Sequence, residues 1–219
     1  ARPYQIALEK QAGPASAGET TELFRCQGES VGGSSHQIGH AMDNPYATET
    51  QLQEYLLFHY GHPEDILPWE FGPVGALQYP VRCVVECFNL ENLDEASRAL
   101  DVGCAVGRSS LEFGLVCGEV IGIDSSHAFI RAANALLEQG ELSYRYRIEG
   151  HRTGEAVARP PDGLDVSRVH FEQGDAMDLR PDLGAFDAVL AANLICRLTE
   201  PRRFLHRCRD LVKPGGQLV

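Results

Sequence analysis

The feature that most limits the fold is a regular alternation of short apolar stretches with helical or mixed segments. The apolar stretches are ALDV, EVIGID, VHFEQGD, FDAVLAAN and GGQLV, all between residues 99 and 219. Strands separated by helices favour parallel pairing, so the pattern predicts an α/β fold with a doubly wound, mostly parallel sheet. Ligands of such sheets bind beyond the carboxyl ends of the strands. Those ends carry GCAVG, DSS, GDA and NLICR.

The part of the chain before these strands divides into two segments. Residues 1–44 are rich in Gly, Ser, Ala and Gln without periodicity, which predicts a flexible tail or linker. His36 and His40 are four residues apart there, but Met42 stands where a third ligand would follow, so we predict no metal site. Helical spacing in TETQLQEYLLFHYG and GALQYPVRCVVECFNLENL predicts a helical lid over residues 45–95. Cys83 and Cys87 share a face there and are expected to be buried as small hydrophobic residues.

Composition excludes several classes of partner. The formal net charge of −12 over 219 residues repels phosphate backbones, which disfavours nucleic acid and favours a small-molecule substrate. No apolar run approaches the about 18 residues that span a bilayer, and the N-terminus lacks a signal-peptide pattern. The seven cysteines are scattered without a C-x-x-C pair, which fits a reducing compartment. We therefore predict a cytoplasmic protein without a membrane segment.

The charge of Asp101 indicates what binds the glycine turn RALDVGCAVGRSS. Gly103 and Gly107 enclose Cys104 and Ala105, and no third glycine completes a G-x-G-x-x-G dinucleotide fingerprint. A carboxylate two residues before Gly103 would oppose a pyrophosphate, but it would favour an ammonium or sulfonium group. S-adenosylmethionine carries both groups, and the turn admits its amino-acid portion.

Two further acids follow successive strands. Asp124, at the end of VIGID and before Ser125, is placed to accept hydrogen bonds from both ribose hydroxyls, as in NAD enzymes. Asp175, with Ala176 after it, is placed to address the adenine edge, or alternatively caps a turn. Three acids at three strand ends favour a nucleoside ligand.

The motifs LDVGCAVG, VIGIDSS, FEQGDAMDL, FDAVLAANLICRL and LVKPGGQLV resemble those of class I S-adenosylmethionine-dependent methyltransferases over residues 99–219. The resemblance implies a Rossmann-like nucleotide-binding core over residues 96–219, with Asn193 beside the transferred methyl group. Ala105 departs from the glycine that is usual in the family. A seven-stranded sheet is also usual, so a chain ending at its fifth strand is expected to be C-terminally truncated. The predicted cofactor-binding residues are Asp101, Gly103, Cys104, Ala105, Gly107, Asp124, Ser125, Asp175, Ala176 and Asn193.

A narrower set, EYLLFHYG, FGPVGAL, PVRCVVEC, LDVGCAVGRSS, FEQGDA and AANLICRL, resembles the methyltransferase domain of the bifunctional ovothiol-biosynthesis enzymes. That resemblance covers residues 44–219, and Ala105 is expected in it. It implies N-methylation of the imidazole of 5-thiohistidine, a histidine derivative, beside a fused or upstream iron-dependent sulfoxide synthase. HQIGHAM lacks the acid of the synthase iron motif.

Methyl transfer from a sulfonium to an unprotonated imidazole nitrogen requires alignment more than a strong base, so we expect no catalytic triad. Candidates for holding the acceptor or the methionine carboxylate are Tyr60, His59, Arg82 and Asn193; packing or surface roles are the alternatives for the first three. Methylation of another small metabolite, such as a quinone or phenol, and a non-catalytic binding module stay open as alternatives. The segment LSYRYRIEGHRTGEAVARPP predicts a hairpin inserted before the third strand, remote from the ligand crevice.

Overall fold

The computed structural model of the protein describes residues 48–69 and 71–219. The predicted tail, with His36 and His40, lies outside the described residues. Within the described part, no helix combines the length and apolar character needed to cross a membrane.

Helices precede the sheet and then alternate with its strands. The helices are α1 (Glu49–Tyr60), α2 (Pro63–Ile66), α3 (Tyr79–Val85), α4 (Arg108–Gly114), α5 (His127–Gln139) and α6 (Pro201–Leu211). The strands are β1 (Arg98–Val102), β2 (Glu119–Asp124), β3 (Leu142–Glu149), β4 (Arg152–Ala158), β5 (Val169–Gln173), β6 (Phe186–Leu190) and β7 (Val212–Leu218). Single 3₁₀ turns occupy Val74–Ala76, Leu90–Asn92, Val166–Arg168, Ala176–Asp178, Pro181–Leu183 and Ile195–Arg197.

Five of the described strands form one sheet in the order β5-β2-β1-β6-β7. Every pair in this sheet is parallel, and β1 lies between β2 and β6. The order therefore reverses at β1, which makes the carboxyl end of β1 the switch point where such sheets bind ligands. The predicted doubly wound α/β fold is confirmed. The C-terminal truncation stays a prediction.

Alternation along β1 explains how the two faces of the sheet are used. Leu100 and Val102 belong to an apolar cluster with Phe204 and Leu211 of α6. Ala99 belongs to a second cluster on the other face, which includes residues of α1, α3, α4 and α5. Because successive side chains in a strand point to opposite faces, Asp101 lies on the side covered by α4.

Two hydrogen bonds connect the N-terminal helices to the segment that follows β1. The Tyr60 hydroxyl donates to the Val106 carbonyl at 2.8 Å, and the Ser109 hydroxyl donates to the Pro80 carbonyl at 2.9 Å. Cys83 of α3 is buried as expected, whereas Cys87 is exposed. The expectation for Cys87 was wrong because α3 ends at Val85, so Cys87 no longer shares the helical face of Cys83.

The predicted hairpin is confirmed as the antiparallel pair β3–β4, which is inserted between α5 and β5. As expected, none of its residues lines the cavity at the carboxyl ends of the sheet strands. The hairpin packs against α1 and α5, and Tyr144 and Tyr146 are buried. The Tyr146 hydroxyl donates to Asp65 Oδ1 at 2.5 Å. Buried aromatic side chains therefore bring the hairpin to the N-terminal helices.

We predict that Gly107→Ala lowers the free energy of unfolding by about 2–5 kcal/mol. Gly107 has φ of 88° before α4, and a Cβ there would collide with the Phe171 ring. The left-handed conformation costs alanine about 1–2 kcal/mol, and displacing a packed ring adds about 1–3 kcal/mol. Urea denaturation measures the change.

Gly163→Ala is the matched control, because Gly163 has φ of 81° with no atom within 4 Å of an added Cβ. It should lower stability by only the conformational cost, about 1–2 kcal/mol. Equal losses for the two variants would contradict the role assigned to the Phe171 contact.

Candidate active site

A cavity of about 890 Å³ opens at the carboxyl ends of the strands around the switch point. The predicted cofactor-binding residues that line it are Asp101, Gly103, Cys104, Ala105, Asp124, Ser125, Asp175, Ala176 and Asn193. Gly107 does not line the cavity and instead shapes the loop before α4. The structure therefore brings three acids from three strand ends into one cavity.

The loop after β1 is fixed by the end of β2. The backbone N–H groups of Gly103 and Cys104 donate to the Ile123 carbonyl at 2.7 and 3.1 Å. The Ala105 N–H donates to Asp124 Oδ2 at 3.0 Å. Ala105 has φ of 49°, a left-handed conformation that costs a non-glycine residue about 1–2 kcal/mol. The Asp124 hydrogen bond helps to hold this conformation, so the loop closes without the middle glycine.

Asp101 is a buried carboxyl group that accepts a hydrogen bond from Ser110. Its side chain lies under α4, it is only 3% exposed, and the Ser110 hydroxyl donates to its Oδ2 at 2.7 Å. Burial raises the pKa of Asp101 to about 7; the Ser110 hydrogen bond opposes this rise and the Asp124 carboxylate adds to it. Without ligand, folding stability should therefore fall as the pH rises from about 4 to 7, because the unfolded state releases this proton first. A cationic ligand group would favour the ionised form.

The other two acids combine a structural role with a place on the cavity wall. Asp124 accepts from the backbone N–H of Ser126 at 2.8 Å through Oδ1, while burial raises its pKa. A carboxylate has about four lone-pair sites, so both oxygens can still accept ribose hydroxyls. Asp175 Oδ1 accepts from the Met177 N–H at 2.8 Å and caps a 3₁₀ turn. The sequence offered turn capping as the alternative to a place in the ligand site for Asp175. In the structure Asp175 both caps the turn and lines the cavity.

Asn193 lies just after β6 and also has a left-handed backbone, with φ of 53°. Tyr79 also lines the cavity. Burial, and then the Cys83 thiol, raise the pKa of Tyr79, whereas the Asn193 side chain lowers it, and the hydroxyl stays protonated at neutral pH. Tyr79 and Ser110 were both missed in the sequence. The signal that could have identified Tyr79 is its spacing of four residues from Cys83, which places both on one face of α3.

Two of the predicted substrate-binding residues lie elsewhere. The Arg82 guanidinium donates to both carboxylate oxygens of Glu86 at 2.7 and 2.8 Å and does not line the cavity. Tyr60 does not line it either, because its hydroxyl is turned to the Val106 carbonyl, and burial raises its pKa strongly. His59, one position earlier, does line the cavity.

Four aromatic side chains lie in the part of the cavity wall that is formed by α1, α3 and the segment after β6, which we call the acceptor wall. Helices α1 and α3 supply most of it, and the segment after β6 supplies the rest. It consists of Glu54, Tyr55, Phe58, His59, Tyr79, Pro80, Cys196, Arg197, Leu198 and Thr199. Most of these residues were not identified from the sequence, because their approach to the cavity depends on how α1 and α3 pack.

The family model described as "Methyltransferase domain" matches residues 100–219, more than half of the chain. The chain belongs to this methyltransferase domain family. It is therefore an S-adenosylmethionine-dependent methyltransferase domain, and S-adenosylmethionine is its cofactor. The buried carboxyl of Asp101 and the glycine turn suit the ammonium-bearing end of that cofactor.

Relatives of this methyltransferase domain include enzymes named ubiquinone biosynthesis O-methyltransferase. That of Bradyrhizobium sp. (strain ORS 278) is 30% identical over 56% of this chain and 38% of its own length. That of Rhodopseudomonas palustris (strain TIE-1) is 31% identical over 57% of this chain and 39% of its own. The chain thus spans about two fifths of the length of these relatives. The crystal structure of the [4+2]-cyclase SpnF is similar with a TM-score of 0.50 and 25% identity, covering 76% of this chain and 55% of that one.

We predict that S-adenosylhomocysteine binds about tenfold more weakly at pH 5.5 than at pH 7.5. Below the Asp101 pKa of about 7, an ammonium group has to displace the carboxyl proton before it can pair with the carboxylate. Asp101→Asn should bind more weakly at both pH values and lose most of the pH dependence. Isothermal titration calorimetry measures both; an unchanged pH dependence in Asp101→Asn would contradict the assignment.

We predict that Asp124→Asn weakens S-adenosylhomocysteine binding at least tenfold and lowers the free energy of unfolding by about 1–3 kcal/mol. The carboxamide cannot accept from both the Ala105 and Ser126 N–H groups. Calorimetry and urea denaturation measure the two effects. NADH is the ligand control, and tighter binding of NADH would contradict a site built for S-adenosylmethionine.

Asp187→Asn is the matched protein control for Asp124→Asn. Asp187 also holds a backbone N–H, that of Arg98, at 2.8 Å and pairs with Lys213, but it does not line the cavity. It should lower stability and leave ligand affinity unchanged. If both variants lost affinity equally, the effect of Asp124→Asn would be one of general stability.

Proposed function

We propose that the protein methylates a ring nitrogen of a small aromatic amino acid, with the imidazole of 5-thiohistidine as the first candidate. The observation that carries the proposal is the composition of the acceptor wall. Tyr55, Phe58 and Tyr79 offer aromatic surface for a flat ring, while Glu54 and Arg197 line the same cavity. An amino acid presents an ammonium and a carboxylate that these two charges would recognise.

The sequence motifs shared with the ovothiol-biosynthesis methyltransferase domain support the same acceptor. This acceptor rests on the motifs and on the acceptor wall. The fused or upstream sulfoxide synthase and the cytoplasmic location stay predictions from the sequence.

The mechanism requires the residues of the cavity to align two reactants. When bound, S-adenosylmethionine would supply a methyl group activated by its sulfonium, and transfer of that methyl to an acceptor lone pair would leave the sulfur as a neutral thioether. Asp101 would hold the ammonium of the cofactor, Asp124 its ribose, and the Asp175–Ala176 turn its adenine. The acceptor wall would hold the ring of the acceptor against Asn193. Because an unprotonated imidazole nitrogen is already nucleophilic, the residues have only to position it and exclude water.

Methylation of a phenol or quinol oxygen is the second candidate. The relatives at 30 and 31% identity are named as O-methyltransferases of ubiquinone biosynthesis. A phenolic ring would fit the same aromatic surface, but it would make no use of Glu54 and Arg197. Recognition of the charged groups therefore separates the two candidates.

The test is transfer of labelled methyl from S-adenosylmethionine to 5-thiohistidine, histidine and a catechol. We expect 5-thiohistidine to be the preferred acceptor, and Arg197→Gln to raise its KM about tenfold or more, because a charged hydrogen bond is lost. Arg202→Gln, an exposed arginine of α6 outside the cavity, is the control and should leave KM unchanged.

The other outcomes identify the alternatives. Preference for the catechol, with no effect of Arg197→Gln, would establish phenol methylation and overturn our proposal. A chain that binds S-adenosylhomocysteine but methylates none of the three would indicate a non-catalytic module.

A further inference from the structure

His59 was predicted from the sequence as a candidate for holding the acceptor, and this titratable side chain lies in the acceptor wall. It lies in the last turn of α1, and its ring contacts those of Tyr55, Phe58 and Tyr60 at centroid distances of 5.6 to 6.3 Å. Nδ1 is fully enclosed and has no hydrogen-bond partner among the described residues. The residue nevertheless lines the cavity, and Nε2, on the opposite edge of the ring, is not among the enclosed side-chain atoms that lack a partner. We therefore take the edge that carries Nε2 as the one that faces the cavity.

Burial and a neighbouring positive charge keep the His59 ring neutral. The charge is that of Arg108 in α4, whose guanidinium lies over the Tyr60 ring, 5.7 Å from the centroid, and pairs with Glu112 at 2.5 Å. Burial, and then the positive charge of Arg108, lower the pKa of His59 to about 3. A group with that pKa does not accept a proton at neutral pH, so His59 is neither a general base nor a cation in this cavity.

A neutral imidazole carries one N–H and one lone pair, and the enclosure of Nδ1 decides between the two tautomers. An enclosed N–H without an acceptor is rarer in proteins than an enclosed acceptor without a donor. The lone pair therefore belongs on Nδ1 and the proton on Nε2. His59 would thus present an uncharged N–H donor to the cavity.

We propose that His59 is a specificity-determining residue that donates a hydrogen bond from Nε2–H to the methyl acceptor. This inference rests on the proposed function. The recognised group is a lone-pair-bearing or anionic atom on a flat ring, such as the thiolate sulfur of a thioimidazole or a phenolate oxygen. An uncharged donor suits a site next to a sulfonium, because a protonated imidazole would add a second positive charge and repel the methyl donor.

Substitution of His59 by glutamine and by leucine tests the role of the donor. The carboxamide of a glutamine at this position can place an N–H near the position of Nε2, whereas leucine cannot donate. We expect His59→Leu to raise the acceptor KM about tenfold with little change in S-adenosylhomocysteine affinity. We expect His59→Gln to recover most of that loss, and the pH profile of kcat/KM to be the same in His59→Gln and in the wild type.

His62→Gln is the matched control, since His62 is exposed and does not line the cavity. It should match the wild type in KM. Unchanged KM in His59→Leu, or an ionisation near pH 6 to 7 that disappears in His59→Gln, would overturn the proposal.

Nitrogen-15 NMR of histidine-labelled protein separates this inference from the proposed function. We expect His59 to show a protonated Nε2 and an unprotonated Nδ1 from pH 5 to 8, and addition of 5-thiohistidine to the S-adenosylhomocysteine complex to shift the Nε2 resonance. A protonated Nδ1, or no shift at saturating acceptor, would overturn the role of His59 even in an active enzyme. If no acceptor is methylated, the proposed function fails. The tautomer of His59 and the shift of its Nε2 resonance would still show whether His59 donates a hydrogen bond to the bound ring.

Discussion

The geometry of the site depends on the hydrogen bonds that the Asp124 carboxylate accepts. One oxygen accepts the Ala105 N–H of the loop after β1, and the other accepts the Ser126 N–H at the start of α5. The first bond connects the ends of two neighbouring strands and helps to hold Ala105 in a conformation that alanine avoids, and the second fixes the turn between β2 and α5. The Asp124 carboxylate thus already accepts two backbone hydrogen bonds in the cavity floor. A bound nucleoside would add further hydrogen bonds to the same carboxylate.

Burial acts in the same direction on the ionisable groups of the cavity. It raises the pKa values of Asp101 and Asp124 and lowers that of His59, so each is pushed towards its neutral form. The consequences differ between the two walls. On the side of the cavity lined by the three acids, which we call the donor side, a cationic ligand would restore the charge of Asp101. On the acceptor wall, the neighbouring Arg108 adds to the effect of burial on His59. The effect of burial is thus opposed by a ligand charge at Asp101 and reinforced by a protein charge at His59.

The sequence predicted the sheet and the grouping of three acids in one cavity well because both follow from local patterns. Parallel strands bring their carboxyl ends together whatever the details of packing, so Asp101, Asp124 and Asp175 could be placed in one cavity. The acceptor wall depends on how α1 and α3 pack, which no local pattern specifies. Arg82 and Tyr60 were therefore assigned to the cavity although they lie outside it. Ser110 and Tyr79 were missed because each interacts with a residue on another element: Ser110 of α4 with Asp101 of β1, and Tyr79 of α3 with Asn193 after β6.

Different elements support the two sides of the cavity, and the hairpin β3–β4 packs against only one of them. Its buried tyrosines pack under α1, which carries much of the acceptor wall, and Tyr146 bonds to Asp65 just beyond that helix. The donor side is held instead by bonds among the ends of β1, β2 and β5. Mutations in the hairpin could shift α1 and change which molecule is methylated without disturbing how the methyl donor is held. Divergence of this domain towards new acceptors would then begin in a segment that touches neither reactant.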